Sequence, residues 1–333
     1  ACASTGWARI SPAAQAAPSR GAMPSAPARR RGPGPLGAAC LGLLAGCGSA
    51  SWVDPCDGNG TAGSSLDHSV FQEVLSAHVS QGEITGITST LVNYDALRQD
   101  PSRLRAYLSQ LCTVDVSQLP AAEALAVLIN TYNAVMLAII VHYDPPKSVL
   151  ELHQAVPGGS IWRHKFATLG GAKVSLDDVE HGMIRNGGYA GRFGAAGRVH
   201  AALNCASLSC PDLQPTVFRP STLDSQLTAA TRQWLANPTK NPGPDGSGAV
   251  VLSKIFDWYG GDFQAASGSV HGFVRQYSSW QLSDGASLSF IRYDWSLNEV
   301  NSTGSFRRNS ASWAGCHPAA AVAVALSASV ALP

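Results

Sequence analysis

The chain has 333 residues, with 23 basic side chains against 22 acidic ones and a formal net charge of +1, so no bulk attraction to a polyanion follows and nucleic acid is not an expected partner. Hydrophobic residues make up 45% and charged residues only 14%, which is enough apolar material for a sizeable core and too little charge for a disordered acidic or basic protein.

Residues 1–50 read as a targeting leader. No acid precedes Asp54, and the stretch is rich in Ala, Ser, Pro, Gly and Arg, a composition that cannot bury enough surface to fold alone. From Met23, the basic Arg29-Arg30-Arg31, the apolar run Leu36 to Ala45 and the small residues Gly48-Ser49-Ala50 form the three parts of a secretory signal peptide. The same acid-free leader also suits a plastid transit peptide, and Leu44-Ala45-Gly46-Cys47 has the form of a lipoprotein cleavage site. At the other end, residues 301–333 are a low-complexity tail. Its apolar stretch Ala319 to Leu332 follows a polar spacer, as in a GPI-attachment signal, with an uninformative Ala-rich extension as the alternative. The expected location is secreted or cell-surface, with the plastid as alternative. A membrane is expected as a partner only through a lipid anchor.

Of the eight Cys, the leader holds Cys2, Cys40 and Cys47, and Cys316 lies in the tail. Among Cys56, Cys112, Cys205 and Cys210, the simplest of the three pairings joins Cys56 to Cys112 and Cys205 to Cys210. Sequons begin at Asn59 and Asn301 and would carry glycans in a secretory pathway.

Between about residues 66 and 300 the composition is that of one domain. Helical spacing of apolar residues marks Asp67 to Val79 and Leu104 to Leu111 as amphipathic helices. Ala121 to Tyr143 follows Pro120, stops at Asp144-Pro145-Pro146 and is apolar on nearly every face, so it is expected to be a buried central helix. It nevertheless carries Asn130, Tyr132 and Asn133. A buried amide left unpaired costs about 1–3 kcal/mol, so these side chains must bond to backbone, to other side chains or to a ligand.

Lys165 to Leu169 and Ala172 to Val174 flank Gly170-Gly171 and read as a hairpin. Ser175 with Asp178 then forms a variant capping box for a helix closed by Asn186-Gly187-Gly188. The expected fold class is α+β, a predominantly α-helical single domain with a small antiparallel β-hairpin.

Four clusters can carry chemistry. On the helix after Ser175, Asp177 and Asp178 lie four and three residues before His181, so a carboxylate can reach the imidazole from the preceding turn, and Glu180 adds a second acid beside it; a carboxylate at one ring nitrogen fixes the tautomer and raises basicity. The alternative is a capping network. The string from His200 to Pro211 holds Asn204, Cys205, Ser207, Ser209 and Cys210. In a continuous helix His200 and Cys205 would point about 140° apart, so a Cys-His pair needs a break near Asn204 or His181 as partner. At the start of a short helix, Cys205 would act as a thiolate. A Cys205–Cys210 disulfide, a buried inert Cys, or a metal site drawn from His181, His200, Cys205 and Cys210 compete with this reading, although the spacing matches no standard zinc pattern. The stretches Ser253 to Phe263 and Tyr293 to Asn298 alternate aromatic and acidic residues and either line a pocket, with Trp258 and Asp262 as binding residues, or seal a core.

Taken together, Leu128 to Asn133, Ser175 to His181, His200 to Pro211, Ser253 to Phe263 and Tyr293 to Asn298 resemble, in this order, the family called domain of unknown function 547. The resemblance implies one domain over roughly residues 66–300 and no agreed activity. Two functions remain open. The first is a thiol-dependent hydrolase or acyl transferase with Cys205 as nucleophile, His181 or His200 as base, Glu180 or Asp177 orienting it, and Asn130 or Asn133 facing an oxyanion. The second is a non-catalytic extracellular binding module with a Cys205–Cys210 disulfide, or a metal-binding domain. Neither a cofactor nor a resident metal is assigned; the ligand is an unidentified small molecule or peptide.

Overall fold

The helix Ala121–Tyr143 is buried from Ala124 to Val141, as expected of a segment without a polar face. It is long and apolar enough to cross a membrane, yet its apolar window lies wholly inside the fold, and helices, hairpins and loops pack around it. The computed structural model describes residues 53–56 and 66–300, apart from 146 and 284. The leader, the tail, both sequons and Cys2, Cys40, Cys47 and Cys316 lie outside the described residues.

The two amphipathic helices form at Ser69–His78 and Ser102–Leu111, pack on each other, and bury Phe71, Val74 and Leu75 and Leu104, Tyr107, Leu108 and Leu111 in the core cluster that also holds the central helix. The first ends one residue earlier than its apolar spacing implies: Val79 opens a strand, Val79–Ile84, which pairs antiparallel with Ile87–Val92. This hairpin escaped the sequence reading because its two-residue turn is Thr85-Gly86, with Thr85 itself at φ 52 in place of the usual Asn or Gly.

The expected hairpin is present, Lys165–Leu169 with Ala172–Ser175. Its turn glycines lie at φ 57 and 80. A Cβ on Gly170 would stand 2.7 Å from the Val114 carbonyl oxygen, so the turn also needs glycine for space. The capping box forms in both directions: the Asp178 N–H donates to Ser175 Oγ at 3.0 Å and the Ser175 N–H to Asp178 Oδ2 at 2.9 Å. The helix it starts does not stay α-helical. From Asp178 to Asn186 it is a π-helix, a rare geometry that recurs at functional sites.

A second apolar cluster, built on Trp234, Phe256, Phe263 and Phe273, packs beside the first. It includes a three-stranded sheet, Gly243–Pro244, Ala249–Leu252 and Ser287–Phe290, whose last pair is parallel. Trp295 packs against both clusters. Cys56 and Cys112 are joined in a disulfide, as the simplest pairing required, and this ties the described 53–56 segment to the end of helix Ser102–Leu111.

Candidate active site

The chain makes one 3₁₀ turn at Arg198–Ala201 and leaves helical geometry before Asn204. Asn204 fixes this exit with its backbone N–H and both ends of its side-chain amide. Its N–H donates to Asn133 Oδ1 at 2.9 Å, its Nδ2 to the Pro211 carbonyl at 2.8 Å, and its Oδ1 accepts from the Ala206 N–H at 2.9 Å. Ala206 is thereby held at φ 61, a left-handed conformation that costs a residue with a Cβ roughly 1–2 kcal/mol. The segment around Tyr293 to Asn298 clamps the loop from outside: Leu208 N–H reaches the Ser296 carbonyl at 2.8 Å, Asn298 N–H the Ala206 carbonyl at 3.1 Å, and Asp294 N–H Ser209 Oγ at 2.8 Å. From Gly197 to Leu213 every residue is buried except Cys205.

The Cys205 sulfur lies 2.8 Å from Cys210 Sγ, 3.1 Å from Ser207 Oγ and 3.2 Å from the Tyr293 hydroxyl. Burial pushes its thiol up, but hydrogen bonds from Cys210, Ser207 and Tyr293 outweigh burial and bring it down to about 7. Such bonds favour the charged form of the group they serve. Burial and the neighbouring Cys205 push the Cys210 thiol up. The thiolate character of Cys205 thus comes from hydroxyl and thiol donors on an irregular loop and not from a helix N-terminus. Both cysteines are free. Their sulfurs stand beyond the ~2.05 Å of a bond, and Cys210 Sγ accepts the Cys205 N–H at 2.9 Å, so the expected Cys205–Cys210 disulfide is not formed.

The π-helix brings a second titrating group. Glu180, its side chain 12% exposed, has its carboxyl raised to about 7 by burial, against the opposing pull of Arg185 and of hydrogen bonds from the Tyr259 and Tyr132 hydroxyls; the Cys205 charge adds to the rise. Behind Glu180 stands an aromatic and ionic frame. Asp262 accepts from His200 Nε2 at 2.7 Å and from Arg185 Nε at 2.5 Å and Nη2 at 3.1 Å. Burial raises the Asp262 carboxyl, but these bonds and charges hold it well below the usual carboxylate range. The Tyr259 ring stacks on His200 at 4.2 Å and on His181 at 6.0 Å, with the Arg185 guanidinium 4.7 Å from its centroid. Arg185 also donates to His181 Nδ1 at 2.5 Å. Arginine has no acceptor, so in His181 the ring proton is on Nε2, which faces Asp177 at 3.9 Å and Glu180 at 4.0 Å. Burial, Arg185 and His200 lower His181 to about 4, and burial also lowers His200.

The structure therefore joins Asp177, Glu180, His181, His200, Asp262 and Cys205 through one neighbourhood, but its hydrogen bonds link Cys205 to hydroxyls and a thiol, and His200 to Asp262. Trp258 packs on Tyr293 at 4.9 Å and on Trp295 at 5.8 Å, against the same apolar cluster as Cys205. Asn130 and Asn133 serve the backbone. Asn130 exchanges bonds with both peptide groups of Phe218, at 2.8 and 3.0 Å, and Asn133 joins the Ala202 carbonyl to the Asn204 N–H at 2.9 Å each. Both are almost fully buried, which places their amides in the scaffold of the Cys205 loop and core. Among the described residues no group of three or more His, Cys, Asp or Glu is placed to hold a metal ion, so His181, His200, Cys205 and Cys210 do not assemble as a ligand set. The sequence marks Tyr132 as a polar side chain of the buried helix in need of a partner, but it does not single out Arg185 or Tyr259. The one local signal for Arg185 is its place four residues after His181, and the tyrosines contact Glu180 only through tertiary packing.

Fold and site define an α+β domain in which an otherwise buried loop presents one partly exposed thiol within electrostatic reach of the buried Glu180 carboxyl. Residues 116–235 match the family described as protein of unknown function, DUF547. Over that region, which contains the central helix, the Gly170-Gly171 hairpin, the π-helix and the Cys205 loop, the resemblance stated above holds; Ser253 to Phe263 and Tyr293 to Asn298 lie beyond the matched residues. No curated protein and no solved structure matches the chain.

Proposed function

We propose that the protein is a thiol-dependent hydrolase or acyl transferase with Cys205 as nucleophile. The observation that carries this reading is the Cys205 loop: its neighbours are buried, its backbone is held in a left-handed turn at Ala206, and its one partly exposed side chain is a sulfur with three donors around it. Strained backbone next to a single partly exposed thiol is an arrangement that packing alone does not require.

Glu180 is the proton carrier in this reading. A carboxyl near 7 is matched to neutral pH, whereas an imidazole near 4 is a weak base there. The thiolate attacks the carbonyl carbon of an ester or thioester, and the tetrahedral intermediate collapses as its leaving group takes the proton of Glu180. The resulting carboxylate then removes a proton from the water, or from the acceptor alcohol or amine, that releases the acyl group from sulfur. Tyr293 is a donor beside the attacking atom and can follow charge from sulfur to the developing oxyanion. His200 and Asp262 act as positioning residues by bracing Tyr259, which in turn holds Glu180. The Cys56–Cys112 disulfide supports work in an oxidising compartment, in keeping with the secreted or cell-surface location proposed from the leader.

The test uses p-nitrophenyl acetate as an activated acyl probe. A burst of nitrophenolate and an acetyl group mapped to Cys205 are expected; absence of any acetyl adduct at Cys205 on rapid quenching, with hydrolysis unchanged in Cys205→Ala, would remove the proposal.

A further inference from the structure

We infer that Cys205 and Cys210 also form a redox-active dithiol that reduces small-molecule disulfides, with Cys205 as the attacking sulfur and Cys210 as the resolving one. This activity shares the accessible Cys205 with the proposed acyl chemistry but needs neither Glu180 nor an acyl substrate.

The two sulfurs face each other at 2.8 Å, already inside van der Waals separation, from positions five apart in one short loop. Their environments differ in the sense that exchange chemistry requires. Cys205 is partly exposed and its thiol is lowered; Cys210 is 3% exposed and its thiol is raised. An external disulfide can therefore meet only the first sulfur, and that sulfur is the better thiolate near neutral pH. The second is fixed for an internal attack. The Cys210 N–H donates to the Ser207 carbonyl at 3.1 Å, and its carbonyl accepts from the buried Lys240 ammonium at 2.6 Å, an ammonium that Asp212 at 2.6 Å and Ser89 at 2.8 Å complete. Lys240 is 1% exposed, and a buried charge with three oxygen partners is a rigid anchor for the peptide that carries the resolving sulfur.

The chemistry balances. The Cys205 thiolate attacks one sulfur of the external disulfide, forming a mixed disulfide as the external S–S bond breaks and one thiolate leaves. Cys210 gives its proton to that departing thiolate and attacks the Cys205 sulfur, forming the internal disulfide and expelling the second external thiolate. Two electrons pass from the protein dithiol to the external disulfide.

The experiment incubates the full, dithiothreitol-treated chain with oxidised glutathione, quenches with iodoacetamide and maps the products by peptide mass. Wild type is expected to lose both thiols of the pair, gain a Cys205–Cys210 linkage and retain no glutathione there, while Cys56–Cys112 stays bonded throughout. Cys210→Ser is expected to stop with glutathione on Cys205, and Cys205→Ser to remain unmodified at Cys210. Any of three results would overturn the inference: wild type stopping at the glutathione adduct, both thiols surviving excess oxidant, or a pre-existing Cys205–Cys210 bond that dithiothreitol does not open. Acylation by p-nitrophenyl acetate is scored separately, so exchange without acylation removes only the acyl-transfer reading, and acylation without exchange removes only this one.

Discussion

The two cysteine pairs of the described structure are built on opposite plans. Cys56 and Cys112 are bonded across a separation of 56 residues, and closing so long a loop restricts the unfolded chain. Cys205 and Cys210 are only five apart and unbonded, and what surrounds them is a set of donors: Ser207, Tyr293 and the Cys205 N–H. A sulfur that serves stability is consumed in a bond, whereas a sulfur supplied with hydrogen bonds is kept charged and available. The same element is thus a clamp in one region and, in the function proposed above, a reagent in another, according to what its neighbours offer.

Substitution at each pair should separate the two tasks. The largest effect is expected for Cys205→Ala: acyl-probe turnover falls roughly 10³-fold or more, while the thermal midpoint stays within about 4 °C, as read by burst kinetics and calorimetry on the same sample. Cys112→Ser should do the reverse, lowering stability by about 2–5 kcal/mol in denaturant titration with acylation of Cys205 retained. Equal loss of both properties in either variant would erase the contrast.

Glu180→Gln sharpens the account of the reactive pair. Turnover is expected to fall about 10²-fold, and the pH profile should change shape. Wild-type kcat/KM should pass through a maximum near neutrality, since Cys205 must lose a proton and Glu180 must keep one, each near 7. Glutamine cannot titrate, so the alkaline fall disappears. A variant with the wild-type profile would remove Glu180 from proton transfer.

The smallest expected effect is on stability against pH. His68 and His181 are lowered to about 4, burial being the first cause in both, so between about 4 and 6.5 the unfolded chain binds more protons at these positions than the folded one. Stability should fall as pH drops through that window. Glu180 runs the other way. Its folded value is raised, so its contribution is present below the unfolded value and is lost as pH rises through about 7. Glu180→Gln should therefore steepen the acid loss. Thermal midpoints from pH 7.5 to 4 check both statements, and a flat wild-type profile would contradict the first.

Much of the scaffold was legible in the sequence because its signals are local. The all-round apolarity of Ala121 to Tyr143, the Gly170-Gly171 turn and the Ser175–Asp178 capping box each lie within a few residues of the structure they specify. The need for a break near Asn204 was also readable, since helix geometry alone separates His200 from Cys205. What stayed hidden depends on chain segments far apart. Tyr293 reaches Cys205 across 88 residues and Asp262 reaches His200 across 62, and no spacing rule encodes either contact. The π-helical winding of Asp178 to Asn186 was hidden for another reason: its start and stop signals are those of an α-helix. That Asn130 and Asn133 need partners is readable from their place in an apolar helix, but those partners are the peptides of Phe218, Ala202 and Asn204, which only the folded chain supplies.

The proposed chemistry requires Cys205 to be an accessible, hydrogen-bonded thiolate near neutral pH. The pH dependence of its alkylation by iodoacetamide, followed at that residue by peptide mass, tests this directly. A rate that is half-maximal near pH 7, well below the ordinary thiol value of 9.0, is the predicted result. A rate that climbs only around pH 9, or a sulfur that iodoacetamide never reaches in the folded reduced protein, would contradict it.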